Sequence, residues 1–241
     1  MMKDFEMTDI NKLRDALKDK KELNDKEIDE LLGTKKLLKR KGKRREKDFY
    51  QTPEPIAKWT VDRCAELLVI EPKDCKFFEP GCGQFAPFMK RATELGMNVR
   101  GSDIRDLGNT NNPYIIDKVD FLSDDVYYKL PTKFDIIATN PPFNIAMPFW
   151  NKCMELVSGH GIVAMVIKQA MLGGKQRSTI WESRPPVEVH IIYPRPSFTG
   201  DGSTDIGQEY CIAFWYGEKL DKAYKHRIGG TSLHWLNWKE I

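Results

Sequence analysis

Short apolar segments alternate with segments of helical periodicity from about residue 48 onwards, and this alternation constrains the fold more than any other feature. The apolar segments are rich in β-branched and aromatic residues, which is typical of buried strands. Six strands are predicted over 75–79, 98–103, 134–140, 161–168, 188–193 and 209–216, and residues 114–122 contain a further strand, the third in chain order. Helices are predicted over 53–68, 85–95 and 144–158. This pattern predicts an α/β fold in which helices cover both faces of a mostly parallel sheet.

The last two predicted strands have no helical pattern between them. Their connection, PRPSFTGDGSTDIGQ, is rich in turn-forming residues, so we expect the two strands to form an antiparallel pair at the sheet edge. A parallel α/β sheet binds ligands outside the carboxyl ends of its strands. Candidate site residues are therefore sought where each strand ends.

The first 47 residues lack the alternation of apolar strands and helices seen in the rest of the chain. We predict that they form a separate helical extension, followed by an α/β domain over 48–241. Residues 8–20 and 24–39 each show helical spacing of apolar residues, so their apolar faces would dock on the main domain, a second copy or a partner. Residues 35–47 carry nine Lys or Arg against one Glu. Such a run suits a polyanion such as nucleic acid, and it is equally typical of a solvated linker.

Composition excludes several classes of protein. The five cysteines are scattered without a CxxC pair or a Cys/His cluster, which predicts reduced thiols and no metal site. No apolar run approaches the roughly 18 residues that a membrane span needs, and the N-terminus lacks the apolar core of a signal peptide. We therefore expect a cytoplasmic protein. The net charge of +3 does not by itself indicate a partner.

A glycine-containing turn follows the first strand as Glu79-Pro80-Gly81-Cys82-Gly83. Glycines at this place let the backbone turn tightly into a helix and approach a ligand closely. Alone, the pattern also fits an ordinary strand-to-helix turn. The acid Glu79 suits a cationic cofactor without phosphate better than it suits a dinucleotide.

Acidic residues also end the next two strands. Asp103, about 20 residues past the glycines, is placed to accept hydrogen bonds from the ribose hydroxyls of an adenosine. Asp120 and Phe121 follow the third strand, where an acid could accept from an adenine amine and the ring could cover the base. Each pattern taken alone is also common in surface loops.

The strongest signal is Asn140-Pro141-Pro142-Phe143, directly after the fourth strand. Two prolines stiffen the backbone and remove two N–H donors, so the segment presents acceptors. The Asn140 side chain adds an amide oxygen, and Phe143 adds a flat apolar surface. This set suits the capture of a planar amine through its two hydrogens while its ring is stacked. A simple Asx-Pro turn is the structural alternative.

With these motifs, residues 48–216 resemble the class I S-adenosylmethionine-dependent methyltransferases. The resemblance implies a seven-stranded, Rossmann-like, mostly parallel sheet with an antiparallel edge strand, and S-adenosyl-L-methionine as the cofactor. Its methionine end would contact Glu79, Gly81 and Gly83, its ribose Asp103, and its adenine Asp120 and Phe121. Many relatives have a further glycine where this chain has Phe85, so we expect a local difference in that turn.

The Asn-Pro-Pro-Phe motif resembles the signature of the amino-methyltransferases, whose targets include adenine N6, cytosine N4, guanine N2 and glutamine amides. The segment Tyr50-Gln51-Thr52-Pro53 resembles the cofactor-closing segment of gamma-class DNA adenine-N6 enzymes, which implies that Tyr50, Thr52 and Pro53 contact the cofactor. Phenylalanine in the last signature position is common in adenine enzymes, and guanine-N2 RNA enzymes share it.

The connection after the sixth strand contains further substrate candidates. Phe198 lies where the DNA family has a base-facing aromatic, and it could sandwich a flipped base against Phe143. Arg195 and Lys168 are candidates for phosphate contacts. The glycine- and acid-rich residues 198–207 resemble a stretch of small phage-encoded methyltransferases, which implies a bacterial or phage-infected host cell.

These observations predict methylation of adenine N6 in DNA. Methylation of an RNA base (adenine N6 or guanine N2), methylation of a protein glutamine, and a methyltransferase-fold binding protein without turnover stay open as alternatives. Only 25 residues follow the last predicted strand, which leaves no room there for a separate reading domain. We therefore expect sequence recognition to be weak, or to come from the helical extension or a partner.

Overall fold

A computed structural model describes residues 51–68, 70–108, 112–116, 118–130, 133–198, 208–227 and 230–241. The predicted helical extension over 1–47 and the cofactor candidate Tyr50 lie outside these residues. The glycine- and acid-rich segment lies outside them from residue 199 to 207. The predictions for these parts of the chain therefore stay predictions.

The described residues form six α-helices and eight strands. The helices are α1 (Glu54–Leu68), α2 (Pro87–Glu94), α3 (Val126–Lys129), α4 (Ala146–Leu156), α5 (Ser178–Ser183) and α6 (Glu218–Arg227). The strands are β1 (Lys76–Pro80), β2 (Asn98–Ser102), β3 (Ile115–Ile116), β4 (Phe134–Thr139), β5 (Val157–Lys168), β6 (Glu188–Tyr193), β7 (Tyr210–Tyr216) and β8 (Ser232–Asn237). Short 3-10 helices cover Pro72–Asp74, Phe143–Ile145, Gln169–Met171 and Lys175–Arg177.

The eight strands form one mixed sheet with the order β3-β2-β1-β4-β5-β7-β6-β8. Every neighbouring pair is parallel except those that include β7, which runs antiparallel to both β5 and β6. The predicted fold class is thereby confirmed. The chain runs outwards from β1 through β2 to β3 and then returns to β4 on the other side of β1. A crevice opens outside the carboxyl ends of β1 and β4, where the strand order reverses.

The sheet has one strand more than the seven that were predicted. Strand β8 pairs in parallel with β6 and takes the outermost position, so β7 is flanked on both sides. Helix α6 connects β7 to β8. Along β8 only Leu236 is buried, while Leu233 and Trp235 are exposed. This weak burial explains why the segment does not stand out as a strand in the sequence.

Alternate residues of the central strands face two separate apolar layers. On β5, Ile162, Ala164 and Val166 pack with helices α1 and α2, while Val163, Met165 and Ile167 pack with helix α4. The period of two follows from the pleat of a strand, and burial on both faces explains why β5 reads as a continuous apolar run. None of the helices among the described residues is both long and apolar enough to cross a bilayer.

An ion-paired network joins helix α1 to strand β6. Arg63 donates through Nε and Nη2 to the two carboxylate oxygens of Glu188, at 3.0 and 2.7 Å, and His190 Nε2 lies 3.0 Å from Oε2. Glu188, His190 and His234 have potential metal-ligating atoms within 4.8 Å of one another. Because Arg63 already binds both carboxylate oxygens of Glu188, we interpret the network as a structural contact that holds helix α1 to strand β6.

Replacing Glu188 by glutamine should destabilise the protein by about 2 kcal/mol at pH 7, because Arg63 then keeps only the exposed Glu66 as an anionic partner. Burial raises the pKa of Glu188, but hydrogen bonds from His190 and Arg63 outweigh it and bring the pKa to about 2, below its ordinary value of 4.5. The stabilisation is therefore complete above about pH 4.5 and is lost as the pH falls towards 2. Urea unfolding of both proteins across pH 7 to 3 should show the difference shrinking with acidity. A difference that stays constant would contradict this account.

Candidate active site

A cleft of about 860 Å³, including its open mouth, lies at the carboxyl ends of β1, β2 and β4. Eight of the predicted cofactor and catalytic residues line it. They are Thr52, Glu79, Gly81, Asp103, Asp120, Phe121, Asn140 and Pro142. The structure therefore brings together residues that lie on five different connections of the chain.

The turn after β1 depends on its glycines and on Glu79. Gly81 and Gly83 have φ angles of 65° and 66°, a left-handed conformation that side chains disfavour. The Glu79 carboxylate is buried, and its Oε2 accepts a hydrogen bond of 2.7 Å from the Met89 N–H in the first turn of α2. Burial raises the pKa of Glu79 well above its usual range. Glu79 thus lines the cleft and also holds the start of α2.

The turn after Gly83 leads into α2 through a residue with a left-handed backbone. Ala86, which precedes α2, takes a left-handed conformation with φ 38°. Phe85 is 59% exposed and lines the cleft, as does Ile104, which is 54% exposed. Sequence reasoning did not assign these two apolar side chains to the site. The only signal for Ile104 was its position directly after the strand-ending Asp103.

Asp103 is buried and makes four hydrogen bonds. Its Oδ2 accepts from the Gly83 N–H at 2.8 Å and from Arg105 Nη2 at 3.0 Å, and its Oδ1 accepts from the N–H and Nε of Arg105 at 2.9 and 2.8 Å. Burial raises the pKa of Asp103, but these bonds outweigh it and the pKa lies below its ordinary value. Arg105 was not predicted. It occupies the acceptors that the sequence had suggested for a ribose.

Phe121, which also lines the cleft, is buried and packs against Phe78 and Phe149, with ring centroids 5.8 and 5.0 Å apart. Asp120 is exposed, and its Oδ1 accepts a hydrogen bond of 2.9 Å from the Leu122 N–H. An exposed acid thus stands beside a fixed aromatic ring. That the two residues contact the adenine of a cofactor stays a prediction.

The Asn140-Pro141-Pro142 corner begins where β4 ends. Thr139 donates through Oγ1 to the Pro80 carbonyl at 2.6 Å, which joins the corner to the turn after β1. Asn140 Nδ2 donates to Thr52 Oγ1 at 3.0 Å. Pro141 is buried, and the 3-10 helix Phe143–Ile145 leads into α4. The corner is therefore held by two neighbouring segments and by its own stiff backbone.

Beside this corner lies an aromatic cluster of Phe143, Phe198 and Tyr210. The ring centroids of Phe143 and Phe198 are 5.9 Å apart at an interplanar angle of 71°, and Tyr210 packs against both rings. The predicted sandwich of a base between Phe143 and Phe198 is not formed here, because the two rings contact each other edge to face and Phe198 is buried. Tyr210, which is also buried, was missed because it reads as an ordinary strand residue.

The two predicted phosphate contacts lie in different settings. Lys168 ends β5, and its Nζ lies 5.2 Å from the ring centroid of Phe143, the residue that follows the Asn140-Pro141-Pro142 corner. Arg195 is exposed and forms an ion pair with Glu209, outside the residues that line the cleft. Lys168 is thus closer than Arg195 to the place where a substrate would bind at the corner. Pro53 and Gly83 adjoin the cleft residues Thr52 and Cys82 in the chain but do not line it themselves.

No protein-family model matches the sequence, and no curated protein matches it. Solved structures do match the fold. A protein described as a class I S-adenosylmethionine-dependent methyltransferase of Listeria monocytogenes has a TM-score of 0.59 and 14% identity over 94% of this chain and 78% of its own. A protein described as the modification subunit of a type I restriction enzyme of Vibrio vulnificus has a TM-score of 0.57 and 18% identity over 93% of this chain.

The methyltransferase subunit of the type I restriction-modification system of Streptococcus thermophilus also matches, with a TM-score of 0.55 and 14% identity over 70% of this chain. The chain covers only 45% and 56% of the Streptococcus and Vibrio subunits, about half of their length. At these identities the likeness concerns the fold. The protein has the class I S-adenosylmethionine-dependent methyltransferase fold.

Proposed function

We propose that this protein is an S-adenosylmethionine-dependent methyltransferase that modifies adenine N6 in DNA. One observation carries the proposal: the Asn140-Pro141-Pro142 corner opens into the same cleft as the glycine turn and the acids Asp103 and Asp120. An amine held at the corner would therefore lie next to a cofactor held by the turn and the acids.

The side chains in the cleft fit S-adenosyl-L-methionine by their chemistry. Asp103 offers carboxylate acceptors for ribose hydroxyls, on condition that Arg105 moves away from them. Asp120 and Phe121 offer an acceptor and a ring for adenine. Gly81 keeps the backbone open to close approach. When bound, the cofactor supplies an electrophilic methyl group on a positively charged sulfur.

The corner acts on the substrate amine. The Asn140 amide oxygen and the Pro141 carbonyl accept the two amine hydrogens, which favours tetrahedral geometry at nitrogen and releases its lone pair from the ring. The lone pair would then be free to take the methyl group that the bound cofactor supplies, with the sulfur as the leaving group, and the amine proton would leave to solvent. Positioning and electrostatic stabilisation account for the acceleration, so no separate strong base is needed.

Adenine in DNA is favoured over other amines by three features. Phe143 occupies the last position of the motif, the Thr52-Pro53 segment leads into the cleft, and Lys168 lies at the ring of Phe143. Two of the structures that share the fold are named as restriction-modification subunits. We further propose that the basic run over 35–47 contributes to nucleic-acid binding and that the protein acts in the cytoplasm.

The test is to incubate the full chain with isotopically labelled S-adenosyl-L-methionine and unmodified DNA of varied sequence, and then to identify labelled nucleosides after digestion. The proposal expects N6-methyladenine. Label in RNA or in protein glutamine would move the function to one of those substrates. Cofactor binding without any transfer would favour a binding protein that has kept the fold without turnover.

A further inference from the structure

Strand β8 forms an edge of the sheet. Among the residues that the structure describes, it pairs with β6 only, on one side. The Ser232 N–H donates to the Val187 carbonyl at 3.0 Å. In a parallel pair, alternate residues direct their backbone groups at the neighbouring strand. Counted in twos from Ser232, the N–H and C=O groups of Leu233 and Trp235 therefore point away from β6.

The two residues with outward-pointing backbone groups also carry large apolar side chains. Leu233 is 54% exposed and Trp235 is 65% exposed. Both lie on one face of the sheet, because alternate residues of a strand share a face. Their register partners on β6, Val189 and Ile191, pack in the apolar layer that includes helix α4. The apolar face of the sheet therefore continues onto β8 and is exposed there.

Strand β8 lacks the features that usually keep edge strands from pairing with another chain. Such edges are protected by charged side chains, by proline or by bulges. The sequence of β8, SLHWLN, contains no Lys, Arg, Asp, Glu or Pro, and its register with β6 is regular through all six residues. An added strand would therefore meet neither a charge of its own sign nor a missing backbone donor.

The open edge of β8 is complementary to itself. In an antiparallel pair, residues whose backbone groups point outward must face each other to form hydrogen bonds. Placing Leu233 opposite Trp235 of a second copy satisfies this rule, and the two-fold symmetry then repeats the same pair. His234 meets its own copy at the axis. Pairing Trp235 with itself would instead leave Leu233 opposite the polar Asn237.

We propose that the protein forms a homodimer in which the β8 strands of two copies pair antiparallel about a two-fold axis at His234. Each Leu233–Trp235 pair would exchange two backbone hydrogen bonds, and its side chains would pack as a cross-strand apolar pair. The sheet would then run continuously through both copies. The residues that line the cleft do not include any of β8, so this inference does not rest on the proposed methylation.

Sedimentation equilibrium of the full chain tests the dimer. The chain has a mass of 27.9 kDa, and we expect a species of twice this mass in the micromolar range. Trp235→Lys places a charge in the centre of the interface and should raise the dissociation constant of the dimer by at least about 30-fold. Tyr128→Lys changes another exposed aromatic, on α3, and should leave the dimer intact. Circular dichroism checks that both variants are folded.

A disulfide tests the register. Facing residues of a non-hydrogen-bonded antiparallel pair have Cα atoms about 4.5 Å apart, within the span of a disulfide. His234→Cys should therefore cross-link two copies under mild oxidation, as seen on a non-reducing gel. The five native cysteines are buried and do not compete. Ser232→Cys is the matched control, because it would lie opposite Leu236, about 13 Å along the strand from its own copy.

Each outcome supports or overturns the proposal without reference to enzyme activity. A dimer that Trp235→Lys dissociates and that His234→Cys cross-links supports it. A monomer at every concentration overturns it, and the edge would then be free for a different partner. A dimer that survives Trp235→Lys also overturns it, because the two copies would then meet elsewhere, such as through residues 1–47. Equal cross-linking of Ser232→Cys and His234→Cys contradicts the register.

Discussion

Replacing Asn140 by alanine should reduce methyl transfer by about 100- to 1000-fold while cofactor affinity stays within about threefold of the wild type. The amide oxygen is proposed to stabilise the amine only as it becomes tetrahedral, so its loss should act on the transfer step and not on cofactor binding. Single-turnover rates at saturating cofactor, together with calorimetric cofactor titration, measure the two effects separately.

Asn144→Ala provides the matched control for this prediction. Asn144 is an exposed asparagine in the adjoining 3-10 helix and does not line the cleft, so its loss should leave the transfer rate unchanged. Equal losses of cofactor affinity and transfer rate in Asn140→Ala would mean that Asn140 supports the structure and does not act on the substrate. A transfer rate near that of the wild type would remove the central residue of the proposed mechanism.

Much of the sheet follows from the sequence because buried strands have a strong apolar signal. Strand β6 spans 188–193 as predicted, and β4 differs by one residue from the predicted 134–140. The third strand lies within 114–122 as predicted, but it is short, because only Ile115 and Ile116 pair with β2. The chain then turns at Lys118, which has a positive φ of 55°. Apolar content alone does not reveal where a chain leaves the sheet.

Elements with one weakly buried face are harder to predict. Helix α6 carries many charged residues, and in β8 the exposed apolar residues Leu233 and Trp235 precede the buried Leu236. Neither segment therefore shows a regular period of apolar residues. Their place in the fold comes from tertiary pairing, since β8 adds to the sheet through backbone bonds to β6. Such pairing depends on the position of β6 in space, and the sequence of β8 does not indicate that position.

In the candidate site, too, some features could be predicted from the sequence and others could not. Residues at strand ends, such as Asp103 and Asn140, are predictable because the topology gathers the carboxyl ends of parallel strands at one edge. The partners of these residues are not predictable in the same way. The bond from Asn140 to Thr52 and the contact between Phe143 and Phe198 join parts of the chain that are far apart in sequence. Local patterns therefore locate the site, and tertiary contacts determine how its side chains are oriented.

Replacing Asp103 by alanine should weaken cofactor binding by about 100-fold. The ribose would lose two hydrogen bonds to a charged acceptor, each worth about 1.5–3 kcal/mol, and part of this is offset because Arg105 no longer competes for the same oxygens. Calorimetric titration with S-adenosyl-L-methionine measures the affinity. Asp103 also accepts a hydrogen bond from the Gly83 N–H, so circular dichroism is used to check that the variant keeps its secondary structure.

Two further variants separate ribose binding from a purely structural role of Asp103. Asp106, three residues after Asp103, is an exposed acid that pairs with Lys118. Asp106→Ala should leave the cofactor affinity unchanged. Arg105→Ala removes the competitor and should leave cofactor binding as strong as in the wild type or stronger. If Arg105→Ala instead weakens binding as much as Asp103→Ala does, the Asp103–Arg105 ion pair supports the cleft as a unit. Asp103 would then not be the ribose acceptor.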